Sequence, residues 1–241
     1  MATATARRIT GSAAMSRLQS LADPRQAAVA LSFFKTGKGD YGEGDRFLGL
    51  RAPQLHALAR EYRDLRRAAL LLLLRSVWHE ARSLALEIMV LQYRRGTPSQ
   101  RLALHRLYLA QLRYVNNWDL VDGSAPCLCA APPRAVRRRL LQRLAMSPNL
   151  WRRRVAIIAT FADIRAGESQ LALRIARQLR DDPHDLIHKA VGWMLREVGK
   201  RDRGRLDAYL ARHAARMPRT MLRYAIERFE PQARRRWLDA R

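Results

Sequence analysis

Apolar residues recur at intervals of three and four along most of this chain, and this spacing predicts helices. The clearest stripe lies in residues 79–95 and consists of Ala81, Leu84, Ala85, Ile88 and Leu91. The stretches 150–164 and 185–199 carry stripes of the same spacing. No segment alternates between apolar and polar residues with the period of two typical of a half-buried strand. The pattern therefore predicts an all-α chain.

Turn-forming residues separate the predicted helices, with Gly96 and Pro98, Pro132 and Pro133, and Pro218 among them. The helices predicted between these breaks cover residues 13–34, 52–75, 79–95, 99–113, 117–130, 133–146, 150–164, 168–180, 185–199, 202–214 and 217–229. We expect one domain over residues 1–241, with a disordered tail at residues 1–12.

The three clearest stripes are spaced like parts of a repeat. Ala85 and Ala156 are 71 residues apart, and Ala156 and Val191 are 35 apart, so the first gap is about twice the second. A period in the mid-thirties that is filled by helix pairs is typical of an α-solenoid. Equivalent helices of successive repeats would then form one concave wall.

The positive charge of the chain favours partners that carry negative charge. Hydrophobic residues make up 48% of the sequence, which is too many for a disordered chain, and the net charge is +25. Such a charge favours binding to phosphate groups. Arginine accounts for 42 of the 46 basic residues, a bias that genome composition can produce, so it is not taken as evidence of bidentate recognition.

The remaining composition points away from membranes and metals. Cys127 and Cys129 form a single C-x-C pair, too few for a disulfide framework or a zinc knuckle. The longest apolar run, residues 68–74, is much shorter than a membrane span, and the first residues lack the apolar segment of a secretory signal. We therefore expect a cytoplasmic protein, in the bacterial cytoplasm or nucleoid, without a metal.

A first candidate site is the sequence Asn117-Trp118-Asp119-Leu120-Val121-Asp122. If Asn117 caps a helix, Trp118 and Asp122 lie four residues apart on one face, and Asp119 turns away from them. An alternative is that both carboxylates only complement the dipole of the helix in its first turn.

Two further candidate sites are rich in cations. Arg152, Arg153 and Arg154 follow one another on a predicted helix, where Arg154 borders the apolar stripe and the other two suit a solvated or phosphate-facing edge. Trp193 lies off the apolar face of its helix, in line with Lys189 and Arg196. A ring flanked by cations suits a nucleic-acid contact, and packing on a neighbouring helix is the alternative.

The three sites are about one repeat apart. Trp118 precedes Arg154 by 36 residues, and Arg154 precedes Trp193 by 39. A solenoid with this period would place the three side by side on one wall.

These segments resemble the AlkD-like DNA alkylation repair glycosylases, which are built from HEAT-like repeats. The resemblance runs from YGEGDRFLGLRAPQ, at Tyr41–Gln54, to MPRTMLRYAIERF, at Met217–Phe229. It is densest in NNWDLVD, NLWRRRVAII and HKAVGWMLREVGK. It implies a right-handed superhelical α-solenoid with a concave basic groove for DNA. One departure is a single tryptophan in NNWD, where some relatives have a pair.

The resemblance also implies roles for individual residues. The catalytic aspartate of the family falls on Asp122, its lesion-contacting tryptophans on Trp118 and Trp193, and the arginine of its cleft on Arg154. The implied reaction excises N3- and N7-alkylated purines from duplex DNA, without base flipping and without a cofactor. We expect a monomer with no obligate protein partner. Further DNA contacts are expected at Tyr41, Arg152, Arg153, Lys189 and Arg196.

Two other functions fit parts of the sequence. His184 and His188 have the spacing of a zincin helix, but the general base there is glutamate, and the next candidate ligand, His213, is distant in sequence. The stronger alternative is a basic helical scaffold that binds DNA or RNA without chemistry. Asp122 separates the two functions, because a protein that only binds phosphate gains nothing from a carboxylate in its groove.

Overall fold

The computed structural model describes residues 10–239, and helices account for most of them. Across this range there is no β-strand, only an isolated bridge between Arg46 and Trp78, so the predicted all-α class is confirmed. The chain forms two compact units, Met1–Ser124 and Ala125–Arg241. No helix in the described range is both long and apolar enough to span a membrane.

Several helices of the first unit begin at residues that cap a helix or at a proline that favours its first turn. Asp23 accepts hydrogen bonds from the backbone of the turn that follows it, and Thr97 forms a capping box with Gln100. The helices are α1 (Gly11–Ser20), α2 (Pro24–Phe33), α3 (Ala52–Glu61), α4 (Arg67–Leu74), α5 (His79–Arg95) and α6 (Pro98–Ala110), with a 3₁₀ turn at Leu112–Tyr114. Helix α7 (Trp118–Leu128) begins in the first unit and ends in the second.

Helix α5 is the centre of the first unit, and α3 and α4 pack against it. Its buried Glu80 accepts hydrogen bonds from the backbone N–H groups of residues 48, 49 and 50, at 2.9, 2.7 and 3.3 Å. Gly49, the middle of these three residues, has a φ of 90°, and a side chain there would collide with the backbone of Asp23. The segment before α3 is therefore fixed to both α5 and the start of α2.

Some helices of the second unit are capped in the same way. Asn149 accepts hydrogen bonds from two backbone N–H groups, and Asp202 from one. Its helices are α8 (Arg134–Ala145), α9 (Leu150–Ile158), α10 (Phe161–Arg165), α11 (Gln170–Gln178), α12 (Asp185–Gly199), α13 (Arg203–His213), α14 (Arg219–Ala225) and α15 (Pro231–Asp239), with a 3₁₀ turn at Ala214–Arg216.

Helix α12 organises the second unit through contacts with α9, α13 and α14. A Cβ added at Gly192 would lie 2.5 Å from the carbonyl oxygen of Met221, so only glycine allows α12 and α14 to approach this closely. The buried stripe Ile187, Val191, Met194 and Val198 matches the predicted core face.

Three predicted helices are in fact pairs. The chain breaks before Pro24 within the predicted 13–34, at residues 62–66 within 52–75, and at Ala159 and Thr160 within 150–164. Helix α15 was not predicted. The expected tail at residues 1–12 lies mostly outside the described residues, and Thr10 already caps α1.

Candidate functional site

Trp118 and Asp122 stand one turn apart at the start of α7, on one side of the helix as the sequence predicted. Both side chains are half-buried. Asn117, which immediately precedes the helix, is fully buried, and its Oδ1 accepts a hydrogen bond from the N–H of Trp118 at 2.8 Å. The helix therefore begins at a backbone position that is held from inside the first unit.

A buried carboxylate holds this starting point. Asp45 Oδ2 accepts a hydrogen bond from Asn117 Nδ2 at 3.1 Å, and Asp45 Oδ1 accepts one from Arg82 at 2.6 Å. The guanidinium of Arg82 also donates to the carbonyl oxygens of residues 76 and 77, just before α5. Asp45 therefore joins the start of α7 to the start of α5.

His79, at the start of α5, lies between two carboxylates. Its Nδ1 is 3.1 Å from Asp45 Oδ2, and its Nε2 is 2.7 Å from Asp119 Oδ2. Because ionised carboxylates only accept hydrogen bonds, both nitrogens must carry protons, so the ring is an imidazolium cation. Burial opposes this charge, but the hydrogen bonds to Asp119 and Asp45 raise the pKa of His79 to about 9. Asp119 is thus tied into the interior, which the sequence pattern did not indicate.

The same contacts act on Asp45. Burial would raise its pKa, but the hydrogen bond from His79, the charge of Arg82 and the hydrogen bond from Asn117 together lower it. Asp45 is therefore ionised at neutral pH and balances two buried cations.

The stability of the first unit should depend on pH through His79. Its folded pKa, about 9, exceeds the ordinary value of 6.5, so its contribution is complete below pH 6.5 and is lost as the pH rises through 9. We expect the free energy of unfolding of the wild type, relative to His79→Gln, to shrink between pH 6.5 and 9. Urea unfolding of both proteins across this range measures the difference. A constant difference would contradict a charged His79.

A column of aromatic rings supports Trp118. Its ring stacks on Phe34 at a centroid distance of 5.3 Å, Phe34 stacks on Phe47 at 5.0 Å, and Phe47 stacks on His79 at 4.6 Å. Phe33 contacts the edge of Trp118 at 5.7 Å. The indole therefore has little freedom to rotate although part of it is exposed.

A cavity of about 510 Å³ opens beside this column. Trp118, Asp119 and Phe33 line it together with residues of α2, α3 and α5. The Oδ1 atom of Asp119 is buried and has no hydrogen-bond partner within residues 10–239. Phe33 and Val29 of α2 are mostly exposed, so the outer wall of the cavity is apolar.

In the second unit, the three consecutive arginines of α9 have different surroundings. Arg152 is exposed. Arg153 bonds to Asp182 at 2.6 Å and to the carbonyl oxygens of residues 147 and 148, so it is not simply solvated, and its alternative role toward phosphate stays a prediction. Arg154 is buried and donates to the carbonyl oxygen of Leu186 at 2.6 Å.

Trp193 is half-buried on α12 and lies off the core face, as predicted. Its Nε1 donates to Glu197 at 3.3 Å, and its ring centroid is 6.0 Å from that of Phe161, so packing within the unit is also real. The flanking cations already have acidic neighbours, because Lys189 pairs with Asp185 and Arg196 pairs with Glu227.

Tyr41 and the histidines complete the predicted residues. Tyr41 is half-buried in the long segment between α2 and α3. His184 Nδ1 caps α12 by accepting the N–H of Leu186, and His188 Nε2 is 2.5 Å from the carbonyl oxygen of Asp182. Within residues 10–239 no group of three potential ligands could hold a metal ion, and these two rings serve the start of α12.

Comparisons with known proteins identify the family. The family model of the DNA alkylation repair enzyme matches residues 14–229. The chain is also similar to a solved structure described as a predicted DNA alkylation repair enzyme from Enterococcus faecalis. The TM-score is 0.65 at 18% identity, over 87% of this chain and 97% of that one. This likeness establishes the fold alone. The comparison with curated proteins found no match.

The protein belongs to the DNA alkylation repair enzyme family, since the family model covers most of its length. Membership confirms the family resemblance of the sequence and gives the protein a role in DNA repair. The assignment of particular site residues, and the placing of three sites on one wall, stay predictions.

Proposed function

We propose that the protein is a DNA glycosylase that excises positively charged N3- and N7-alkylated purines from duplex DNA. The observation that carries the proposal is the arrangement of Trp118 and Asp122 at the start of α7, in a chain that belongs to this family. A buried ionic network holds the helix there, and it presents an indole, Trp118, one turn before a half-buried carboxylate, Asp122. A scaffold that only bound phosphate would not need the carboxylate.

Asp122 would act on the sugar. The bond from C1′ to the purine nitrogen breaks, and its electron pair neutralises the cationic base, so the base leaves without a general acid or a metal. The deoxyribose becomes oxocarbenium-like, and the Asp122 carboxylate stabilises that charge. Water then adds to C1′ and gives its proton to Asp122. The products are a neutral alkylated purine and an abasic site.

The tryptophans would favour the cationic lesion. An indole face attracts a cation by about 0.5–2 kcal/mol, depending on how far the pair is desolvated. Trp118 is braced for this role by Phe34, and Trp193 would act in the same way from the second unit. We propose that the base stays stacked in the duplex while the sugar is attacked.

The remaining predicted residues would bind the DNA backbone. Arg152 is exposed for such a contact, whereas Lys189 and Arg196 would exchange their acidic neighbours for phosphates. Arg154 is proposed to bind a phosphate near the lesion. Tyr41 and Arg153 are proposed as further DNA contacts, and Arg153 also braces α9 through Asp182. The protein would work as a cytoplasmic monomer without a cofactor.

Binding to undamaged duplex should depend steeply on salt. A protein with a net charge of +25 that neutralises about six phosphates would lose roughly a thousandfold in affinity between 50 and 200 mM salt. Fluorescence anisotropy of a labelled duplex across this range measures the slope. Affinity that does not change with salt would remove the phosphate contacts from the proposal.

Turnover distinguishes an enzyme from a scaffold. Methylated duplex DNA in excess over protein is incubated, and alkali-labile abasic sites are counted against a control without protein. The proposal predicts several abasic sites per protein molecule. A scaffold would bind the same DNA and leave the count at the spontaneous level.

A further inference from the structure

A second pocket of about 570 Å³ lies in the second unit, away from the residues discussed above. Arg174 and Arg177 of α11 line one side, and Arg205, Tyr209, Arg212 and His213 of α13 line the other. Within the described range its lining includes no residue of α9 or α12. The pocket is therefore separate from the proposed DNA contacts on those helices.

The spacing of the pocket residues shows why they meet. Arg174 and Arg177 are three residues apart on α11, and Arg205, Tyr209 and Arg212 follow at four and three on α13. These intervals place each set on one face of its helix. The positively charged faces of α11 and α13 therefore both line the pocket.

Three of these guanidinium groups are not paired directly with a carboxylate in the described range. The acidic group that acts on Tyr209 is Asp181, and it already pairs with Arg180. Arg174, Arg177 and Arg212 are exposed and make no ion pair or hydrogen bond with any residue in the range 10–239. Arg205 differs, because it bonds to Ser169 at 3.0 Å and to Asp202 at 3.1 Å. Like charges gathered at such a pocket repel each other unless an anion joins them.

Tyr209 adds a second, independent observation. Its side chain is only 6% exposed, and its Oη is buried without a hydrogen-bond partner among the described residues. A buried hydroxyl that lacks a partner costs about 1–3 kcal/mol, so such a group calls for an explanation. Burial raises the pKa of Tyr209 to about 12, so the phenol keeps its proton and can donate a hydrogen bond to a ligand oxygen.

The pKa of His213, which also lines this pocket, reflects the positive electrostatic potential there. Its ring centroid is 4.5 Å from that of Tyr209. Burial lowers the pKa of His213, and the positive charges of Arg180, Arg177 and Arg212 lower it further. The imidazole is therefore neutral at neutral pH, in a region of positive potential.

We infer that this pocket binds the phosphate groups of a small phosphorylated molecule of nucleotide size. The phosphate oxygens would accept the hydrogen bond of Tyr209 and pair with Arg174, Arg177 and Arg212. A small ligand fits better than a duplex, because the Tyr209 hydroxyl is buried and a rigid duplex could not reach it. A phosphate would reach this hydroxyl only if side chains at the pocket moved aside, which the exposed Arg174, Arg177 and Arg212 could do. The inference does not rest on the glycosylase proposal.

Isothermal titration of the full-length protein with pyrophosphate tests the inference. We expect one binding site, weakened about tenfold or more by Tyr209→Phe, which removes only the hydroxyl. Arg174→Gln combined with Arg212→Gln should weaken binding at least as much. Arg139→Gln, an exposed arginine of α8 outside the pocket, is the matched control and should bind like the wild type. Pyrophosphate should also raise the pKa of His213, followed by NMR of its ring protons.

Several results would overturn the inference. One is a wild-type protein that does not bind pyrophosphate, and another is equal binding by Tyr209→Phe. Equal weakening by Arg139→Gln would show that only the overall charge matters. If Tyr209→Phe weakened undamaged duplex as much as pyrophosphate, the pocket would be a DNA contact. Tyr209→Phe should leave base release unchanged, so failure of this inference is distinguishable from failure of the glycosylase proposal.

Discussion

Replacement of Asp122 by asparagine is expected to slow the release of alkylated purine by about tenfold to a thousandfold, the range for one electrostatic group in a transition state. The variant keeps the shape of the side chain and removes its charge. Asparagine can neither balance an oxocarbenium-like sugar nor accept the proton of water. The comparison is made under single-turnover conditions with protein in excess of methylated duplex.

Two controls accompany Asp122→Asn. Binding to intact duplex should hold or tighten, because a negative charge has left a surface that binds anions. Asp207→Asn removes an exposed carboxylate on α13 that pairs with Arg203, and it should release base at the wild-type rate. A folded, DNA-bound Asp122→Asn protein that matched the wild-type rate would reduce Asp122 to a helix-dipole role. The scaffold alternative would then stand.

Replacement of Asp45 by asparagine should have the largest effect on stability. The change leaves Arg82 and His79 buried with one carboxylate fewer, and removing one partner of a buried ionic group costs about 3–5 kcal/mol. It also weakens the hydrogen bond that holds Asn117 at the start of α7. Urea unfolding at pH 7 measures the loss.

Asp64→Asn is the matched control for Asp45→Asn. Asp64 also pairs with an arginine, Arg95, but its side chain is 57% exposed. An exposed pair contributes about 0–1 kcal/mol, so this variant should unfold much like the wild type. Equal losses in the two variants would mean that the buried network does not hold α5 and α7 together.

The long helices with periodic apolar stripes were predictable from the sequence. The breaks that divide three of the predicted helices into shorter ones were not predicted. Helices α5 and α12 match their stripes because each buries one continuous face. Asp23 and Pro24 did carry the signal of a helix start, which the continuous pattern of 13–34 obscured. The break at residues 62–66 contains no glycine or proline, so only tertiary packing sets it.

The site was predictable only in part. Trp118 and Asp122 are four residues apart, and helix geometry places residues with this separation on one face. Asp45, His79 and Asp119 meet across 74 residues of chain, and no local pattern links them. The ion pair of Arg153 with Asp182, 29 residues further along the chain, could not be read from the local run of arginines either.

The most direct test of the central claim identifies what leaves the DNA. A duplex with a single 7-methylguanine is incubated with the wild-type protein, beside a sample without protein. Free base and abasic strand are then quantified by mass spectrometry and gel electrophoresis. The account predicts free 7-methylguanine and abasic strand in equal amounts, well above spontaneous loss. Intact lesion bound to protein, or guanine restored within the strand, would contradict it.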